Sequence, residues 1–182
     1  MELQKRFEDF VREKPLFSKT EKILLAVSGG VDSVVIAELF HRSKFKSSIA
    51  HCNFQLRADE SEADEMFVKK LSQHYKVPFF TIRFETSEEA AKNKLSIQET
   101  ARKLRYEWFA VTIQKQKYDY IATAHHVNDS IETFFISLLR GTGVSGLRGI
   151  QPIIQKSNTI RPLLFATKAE LEKFAAEEKI NF

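Results

Sequence analysis

A continuous apolar run at residues 23–27 is cut by Ser28-Gly-Gly-Val-Asp-Ser33, and a second apolar segment with helical spacing, Val34, Val35, Leu39 and Phe40, follows at once. An apolar run without alternation fits a strand buried on both faces, which is the habit of a parallel sheet covered by helices. Parallel neighbours can be joined only by a long crossover, so this junction commits the chain to strand–helix units.

The alternation continues along the chain. A short helix with Leu3, Phe7, Phe10 and Val11 leads in before Pro15. "KSSIAHCNF" reads as a second strand, and residues 60–75 as a helix with Ala63, Phe67 and Leu71 four apart. "VPFFTIRF" is a strand, residues 96–116 a long helix with Ile97, Ala101, Leu104, Trp108 and Val111 as its buried stripe, and "YDYIATA" a strand. A helix at 129–140 is stopped by Gly141, "TIRPLLF" forms a short strand, and 167–179 is the last helix. The fold class is therefore α/β: a Rossmann-like open parallel sheet of about five strands with helices on both faces, forming one domain over residues 1–182 without internal repeats.

Composition narrows the setting. The 43% hydrophobic content over 182 residues supports a real core. Cys52 is the single cysteine, which excludes an internal disulfide or a CxxC pair and fits a reducing, cytoplasmic location. No stretch has the apolar length of a signal peptide core or a membrane span, so neither export nor a membrane partner is expected. The net charge of +4 permits a polyanionic partner, but "RADESEADEMFVKK" interleaves both signs as a solvated surface does.

The loop at 28–33 leaves a parallel strand, where open α/β sheets bind ligands. Gly29 and Gly30 allow positive φ and leave backbone N–H groups open to an oxyanion. The helix that follows adds its positive end, worth roughly 0.3–1 kcal/mol per exposed charge. Phosphate is the natural guest. Asp32 would repel a bare phosphate, so it either caps the helix or shares a Mg²⁺ with the phosphate. Ser28 and Ser33, taken alone, read equally as a cap and a turn residue. The pattern G-x-x-x-x-G-K-[ST] is absent, which disfavours γ-phosphoryl transfer by a Walker-type enzyme.

As a whole, the string resembles the SGGxDS signature of the PP-loop ATP pyrophosphatases. That resemblance implies an adenine nucleotide alpha hydrolase-like fold and ATP cleavage between the α and β phosphates, with adenylation of a substrate oxygen. Further stretches resemble the tRNA(Ile)-lysidine synthetase family. These are "HCNFQLRADESEADEMFV", "SIQETARKLRYEWF", "IATAHHVNDSIETFFISLLRGTGVSGLRGI" and "RPLL" at 161–164.

The physical readings of these stretches stay open on their own. Arg102 and Arg105 share a helix face with Gln98 and Phe109, as a basic surface or an anion clamp. Asp129 and Glu132 lie three apart at a helix start, as dipole complements or as ligands for Mg²⁺ or an ammonium. His125 and His126 point different ways and lack a third ligand at zinc spacing. "GTGVSG" follows a helix rather than a strand, so it is read as a loop admitting a bulky substrate and not as a dinucleotide site.

The resemblance implies a ligase. ATP adenylates the 2-oxo group of the wobble cytidine of an isoleucine tRNA with a CAU anticodon, releasing pyrophosphate, and the ε-amino group of free lysine displaces AMP. It implies Ser28, Gly29, Gly30, Val31, Asp32 and Ser33 on the phosphates, the main chain near Ala26 and His51 at adenine, and Arg102 with His126 at the nucleotide. Asp32, Arg105, Asp129 and Glu132 carry the catalytic roles, with Asp32 and Asp129 on Mg²⁺. Two departures stand out. Asn128 occupies a position where relatives often carry an acid, and Ser130 one where glutamine is common. The resemblance also implies a longer protein whose carboxyl-terminal domains grip tRNA, so that residues 1–182 alone bind ATP but modify tRNA poorly. Homodimerisation is left open. The alternatives are another PP-loop adenylating enzyme, such as a tRNA thiolase or an amidotransferase-type synthetase, and a non-catalytic ATP-binding module.

Overall fold

Strand β1 (Ile23–Ala26) lies inside the sheet, flanked by β2 (Ser47–Asn53) and β4 (Tyr120–Ala122), both parallel to it. The computed structural model of the chain describes residues 2–142 and 148–182. With β3 (Phe79–Arg83), β5 (Ile153–Ile154) and β6 (Thr159–Ile160), the sheet order is β3-β2-β1-β4-β6-β5. Five strands are parallel, as the alternation requires. The sixth, β5, is an antiparallel edge strand on β6, hidden in a turn-rich stretch too short to show a period.

The chain moves from β1 outward to β2 and β3, then returns to the other side of β1 for β4 and β6. Right-handed crossovers in opposite directions put helices on opposite faces and open a crevice between the carboxyl ends of β1 and β4. On one face α1 (Glu2–Glu13), α2 (Val31–Arg42), α3 (Ala58–Tyr75) and α7 (Lys168–Glu177) cover Ile23, Leu25, Ile49, Ala122 and Ile160. On the other, α5 (Ile97–Gln116) covers Leu24, Ala50 and Ile121 through Phe109 and Ile113. Phe7, Phe17 and Phe40 interlock beneath α2, with ring centroids 5.4 Å (Phe7–Phe40) and 5.2 Å (Phe17–Phe40) apart. Burial of each such ring contributes about 1.5–3 kcal/mol.

One helical expectation is corrected and one helix is added. Residues 86–93 form a separate helix, α4 (Thr86–Asn93), which the sequence conceals because Ala90 is its only fully buried apolar residue. In α5 the buried residues are Thr100, Ala101, Phe109, Thr112 and Ile113, while Ile97 and Val111 are exposed. The stripe is rotated by about one position, because the amino-terminal half of α5 overhangs the sheet and faces the crevice. Phe109 consequently belongs to the buried side, not to a solvent face. Helix α6 (Val127–Leu139) follows β4, and Gly141 ends it with φ +64°. Residues 143–146 of the "GTGVSG" motif lie outside the described residues. Among the described residues, no helix is long and apolar enough to cross a membrane.

Helix α7 starts at a capping box in which Thr167 Oγ1 accepts from Glu170 N (3.3 Å) and Glu170 Oε2 accepts from Thr167 N (2.7 Å). Glu170 also pairs with Arg6 of α1 at 2.6 Å. The Thr167 backbone donor, then Arg6, lower the Glu170 carboxyl from its ordinary range to about 2. A depressed acid contributes stability above its unfolded pKa and loses it as pH falls toward the folded one. Glu170→Gln should therefore lower the melting temperature at pH 7 and match wild type near pH 2, with the difference closing between about 4.5 and 2. Thermal unfolding across that range reads it directly.

Candidate active site

The crevice begins where β1 becomes α2. Gly29 sits at φ +107°, which a side chain would strain, so glycine is required there. The loop holds itself together through one hydroxyl: Ser33 Oγ accepts from Ser28 N (3.1 Å) and Gly29 N (3.2 Å) and donates to Gly30 O (2.8 Å). Two of the loop amides are thus turned inward as scaffold. Gly30 is the N-cap of α2 and contributes no side-chain cap. The first-turn N–H groups of α2, rather than the whole loop, are the donors left for an anion.

Beside this loop lies a cavity of about 350 Å³. Ala26 of β1, Val27 just after it, and Ala50 and Cys52 of β2 form its apolar floor, and Phe54 and Phe109 its walls. Its polar end gathers Ser28, Ser33, Thr123, His125 and Asp129. An apolar slot ending at helix donors suits a flat base attached to phosphates. Thr86 Oγ1 of α4 donates to Phe54 O at 2.8 Å and so fixes one wall. Arg105 lies over the Phe54 ring, 5.3 Å from its centroid, and lines the cavity. Arg102, exposed on α5, lies over Tyr106 at 5.2 Å and does not line it. Burial pushes the Cys52 thiol up to about 12, which makes it a small apolar wall and not a nucleophile.

Three residues meet where α2 and α6 begin. His126 is buried, with Nε2 3.6 Å from Asp32 Oδ2 and Nδ1 3.4 Å from Asp129 Oδ2. Asp129 Oδ2 also accepts from His126 N at 2.8 Å, so this carboxylate does cap α6 while facing the cavity. Burial raises the Asp32 carboxyl above its ordinary range, against the pull of His126, and Asp32 Oδ1 is buried without a hydrogen-bond partner among the described residues. A buried carboxylate oxygen lacking a donor, beside a second carboxylate, is the donor set a hard cation takes.

The other expected residues fall at different distances from this centre. His51 is buried, with Nδ1 2.9 Å from Val27 O, and its side chain is not in the cavity wall, although its strand neighbours Ala50 and Cys52 are. Of the paired histidines, His125 lines the cavity and His126 bridges the carboxylates. His125 Nδ1 lies 2.8 Å from Thr123 Oγ1, and burial, helped by Arg161, lowers its pKa to about 4, leaving a neutral ring. Val31 is half-buried at the start of α2, and Glu132 is exposed one turn beyond Asp129. The Asn128 departure has a structural account: its Oδ1 accepts from Lys168 N at 3.0 Å and joins α6 to α7. Phe54 and Thr123 line the cavity although no motif marks them as site residues, and Arg161 acts on His125 without lining it. Only the RPLL stretch signalled Arg161, whose buried guanidinium donates to Gln151 O at 2.7 Å.

This loop-and-crevice arrangement defines a class. The PP-loop domain family matches residues 1–182, and the chain belongs to it. That membership supports ATP binding at the loop. Within curated proteins, a tRNA(Ile)-lysidine synthase of Porphyromonas gingivalis is 39% identical over 181 residues, covering 99% of this chain and 40% of the relative. One from Bacteroides thetaiotaomicron is 38% identical over 172 residues, covering 94% of this chain and 40% of the relative. The chain thus spans about two-fifths of their length. Among solved structures, the U34-tRNA thiolase NcsA from Methanococcus maripaludis with its [4Fe-4S] cluster has a TM-score of 0.77 at 18% identity. The match covers 98% of this chain and 65% of that one, and shows the shared fold.

Proposed function

We propose that residues 1–182 form the catalytic part of a longer cytoplasmic tRNA(Ile)-lysidine synthase. The observation that carries this reading is the joining of two lines: near-40% identity to such synthases over 99% of the chain, and a base-sized slot ending at uncapped α2 donors. The overall reaction joins lysine to the wobble cytidine of an isoleucine tRNA bearing a CAU anticodon. In the first step cytidine O2 attacks the α-phosphorus of ATP, and the bond to the β-phosphate oxygen breaks to release pyrophosphate. Next the ε-amino nitrogen of lysine attacks C2, the C2–O2 bond breaks to release AMP, and the ammonium proton is lost to solvent or a nearby carboxylate.

The residues divide this labour. Adenine enters the slot between Phe54 and Phe109, near the main chain of Ala26. The amides opening α2 face the phosphates, in a frame set by Ser28, Gly29, Gly30 and Ser33. Arg105, already at the cavity, offsets charge developing on the α-phosphate, with Arg102 reaching in from the rim. Asp32 and Asp129 would hold Mg²⁺, which when bound supplies positive charge at the phosphates. Glu132, exposed beyond Asp129, is free to take the lysine ammonium. Catalysis rests on positioning and electrostatics, with no covalent enzyme intermediate.

Within these residues one cysteine, with its thiol at about 12, stands against the sulfur-transfer alternative. The full-length protein with CAU-anticodon isoleucine tRNA, ATP and Mg²⁺ should release pyrophosphate and AMP one for one, with AMP release requiring lysine. AMP release indifferent to lysine would refute this reading.

A further inference from the structure

The loop at 28–33 borders two cavities. The slot described above touches it through Ser28 and Ser33, whereas Gly29 and Gly30 line a second cavity of about 460 Å³ on the side of α3, and Ser28 lines both. Facing the glycines across this second cavity are Arg57, Glu60 and Asp64. Asp64 closes in on the loop itself, since a Cβ at position 29 would lie 3.5 Å from its Oδ1. Gly30 is the N-cap of α2. A nucleotide whose base fills the slot and whose phosphates follow the loop to the opening of α2 therefore runs its outer phosphates into the second cavity.

Among the described residues lining that cavity, Arg57 is the one cation. Its backbone is fixed and its side chain is not. Asn53, buried at the end of β2, accepts from Gln55 N at 3.0 Å and donates to Ser61 O at 3.2 Å and to Glu65 Oε2 at 2.9 Å, while Ser61 Oγ accepts from Arg57 N at 3.2 Å. Gln55 and Ala58 take positive φ, +52° and +36°, although neither is glycine. Such backbone persists where its surroundings over-determine it, and it clusters at ligand clamps. The guanidinium that this turn presents is 68% exposed, 3.0 Å from Glu60 and 3.8 Å from Asp64. Exposed pairs of this kind contribute little, so exchanging them for another anion costs little. The two carboxylates would repel a triphosphate, whereas the planar fork of arginine matches phosphate oxygens two at a time.

We propose that Arg57 is a further catalytic residue. Its guanidinium leaves Glu60 and Asp64 for the β- and γ-phosphates of ATP, offsets the charge left on the bridging oxygen as the bond to the α-phosphorus breaks, and returns to the carboxylates when pyrophosphate departs. The proposal rests on the ATP-cleaving reading above. Its test is calorimetric titration of the full-length protein with pyrophosphate, and separately with AMP, in EDTA. Arg57→Gln should weaken pyrophosphate binding about tenfold or more, leave the affinity for AMP, which lacks the outer phosphates, as in wild type, and slow pyrophosphate release in the complete reaction by a similar factor. Arg57→Lys should recover part of the loss. Asp64→Asn, which removes a competitor for the guanidinium, should tighten pyrophosphate binding about threefold. Equal pyrophosphate affinity in wild type and Arg57→Gln would overturn the proposal. So would equal losses of pyrophosphate and AMP in that variant, which mark a collapsed turn rather than a lost contact, or pyrophosphate bound no more tightly by Asp64→Asn than by wild type. Lysine-dependent AMP release by the wild type, measured alongside, separates failure of this residue's assignment from failure of the functional reading.

Discussion

Asp32→Asn should cut pyrophosphate release in the presence of Mg²⁺ on the order of a hundredfold, while metal-free ATP binds no more weakly than to wild type. The asymmetry follows from charge. Asp32 stands at the second residue of α2, beside the donors that meet phosphate, and two anions at such range repel unless a cation lies between them. Its Oδ1 lacks a donor among the described residues, and burial already disfavours its charged form. Among the described residues His126, and after it Lys168, offset that charge. Asparagine keeps the shape and removes the repulsion, so the nucleotide gains in EDTA and the advantage conferred by Mg²⁺ disappears. The competing role, a plain complement to the α2 dipole, gives a different pattern: about 0.3–1 kcal/mol lost from stability and unchanged turnover. Calorimetric titration with ATP in EDTA and in Mg²⁺, beside pyrophosphate release by the full-length protein, tells the two apart. Wild-type turnover in Asp32→Asn would remove Asp32 from the machinery.

The parallel sheet was legible because β1 is apolar without alternation and β1, β2 and β4 are each followed by a helix, although only Ile49, Ala50 and Cys52 are apolar in β2. Turn chemistry at 28–33 marks the crevice in the sequence itself. What escaped was set by tertiary context. The α5 stripe was misplaced by a position because Leu104, Trp108 and Val111 suggest a stripe of their own, whereas the sheet covers only the carboxyl-terminal half of that helix and leaves Arg105 over the cavity. Helix α4 has too little apolar surface to announce itself, yet it fixes Phe54. Adjacent histidines could be split into two roles but not assigned, since only the approach of the starts of α2 and α6 decides that His126 lies between the carboxylates and His125 in the wall.

Ser33→Ala should destabilise the nucleotide-free domain by about 2–4 kcal/mol and weaken ATP binding at least tenfold, where Ser28→Ala costs under about 1 kcal/mol. The two serines look interchangeable in the sequence and are not in the structure. Ser33 is buried, and its Oγ is the acceptor for both Ser28 N and Gly29 N; removing it strands two backbone donors at once, while the Gly30 carbonyl keeps the Ser33 and Val34 amides. An orphaned buried polar group costs about 1–3 kcal/mol, and water enters so tight a turn only by opening it. Ser28 Oγ, by contrast, makes one 3.2 Å contact, to Ser33 Oγ itself. Loss of the hydroxyl at 33 also releases Gly29 from φ +107°, so the loop no longer presents the start of α2 in one geometry, and ATP must order it on binding. Denaturant unfolding without nucleotide, paired with ATP titration, separates shaping from contact. If Ser33→Ala lost ATP affinity at wild-type stability, Ser33 would be a phosphate ligand and not the residue that builds the loop; equal stability losses at 28 and 33 would remove the distinction altogether.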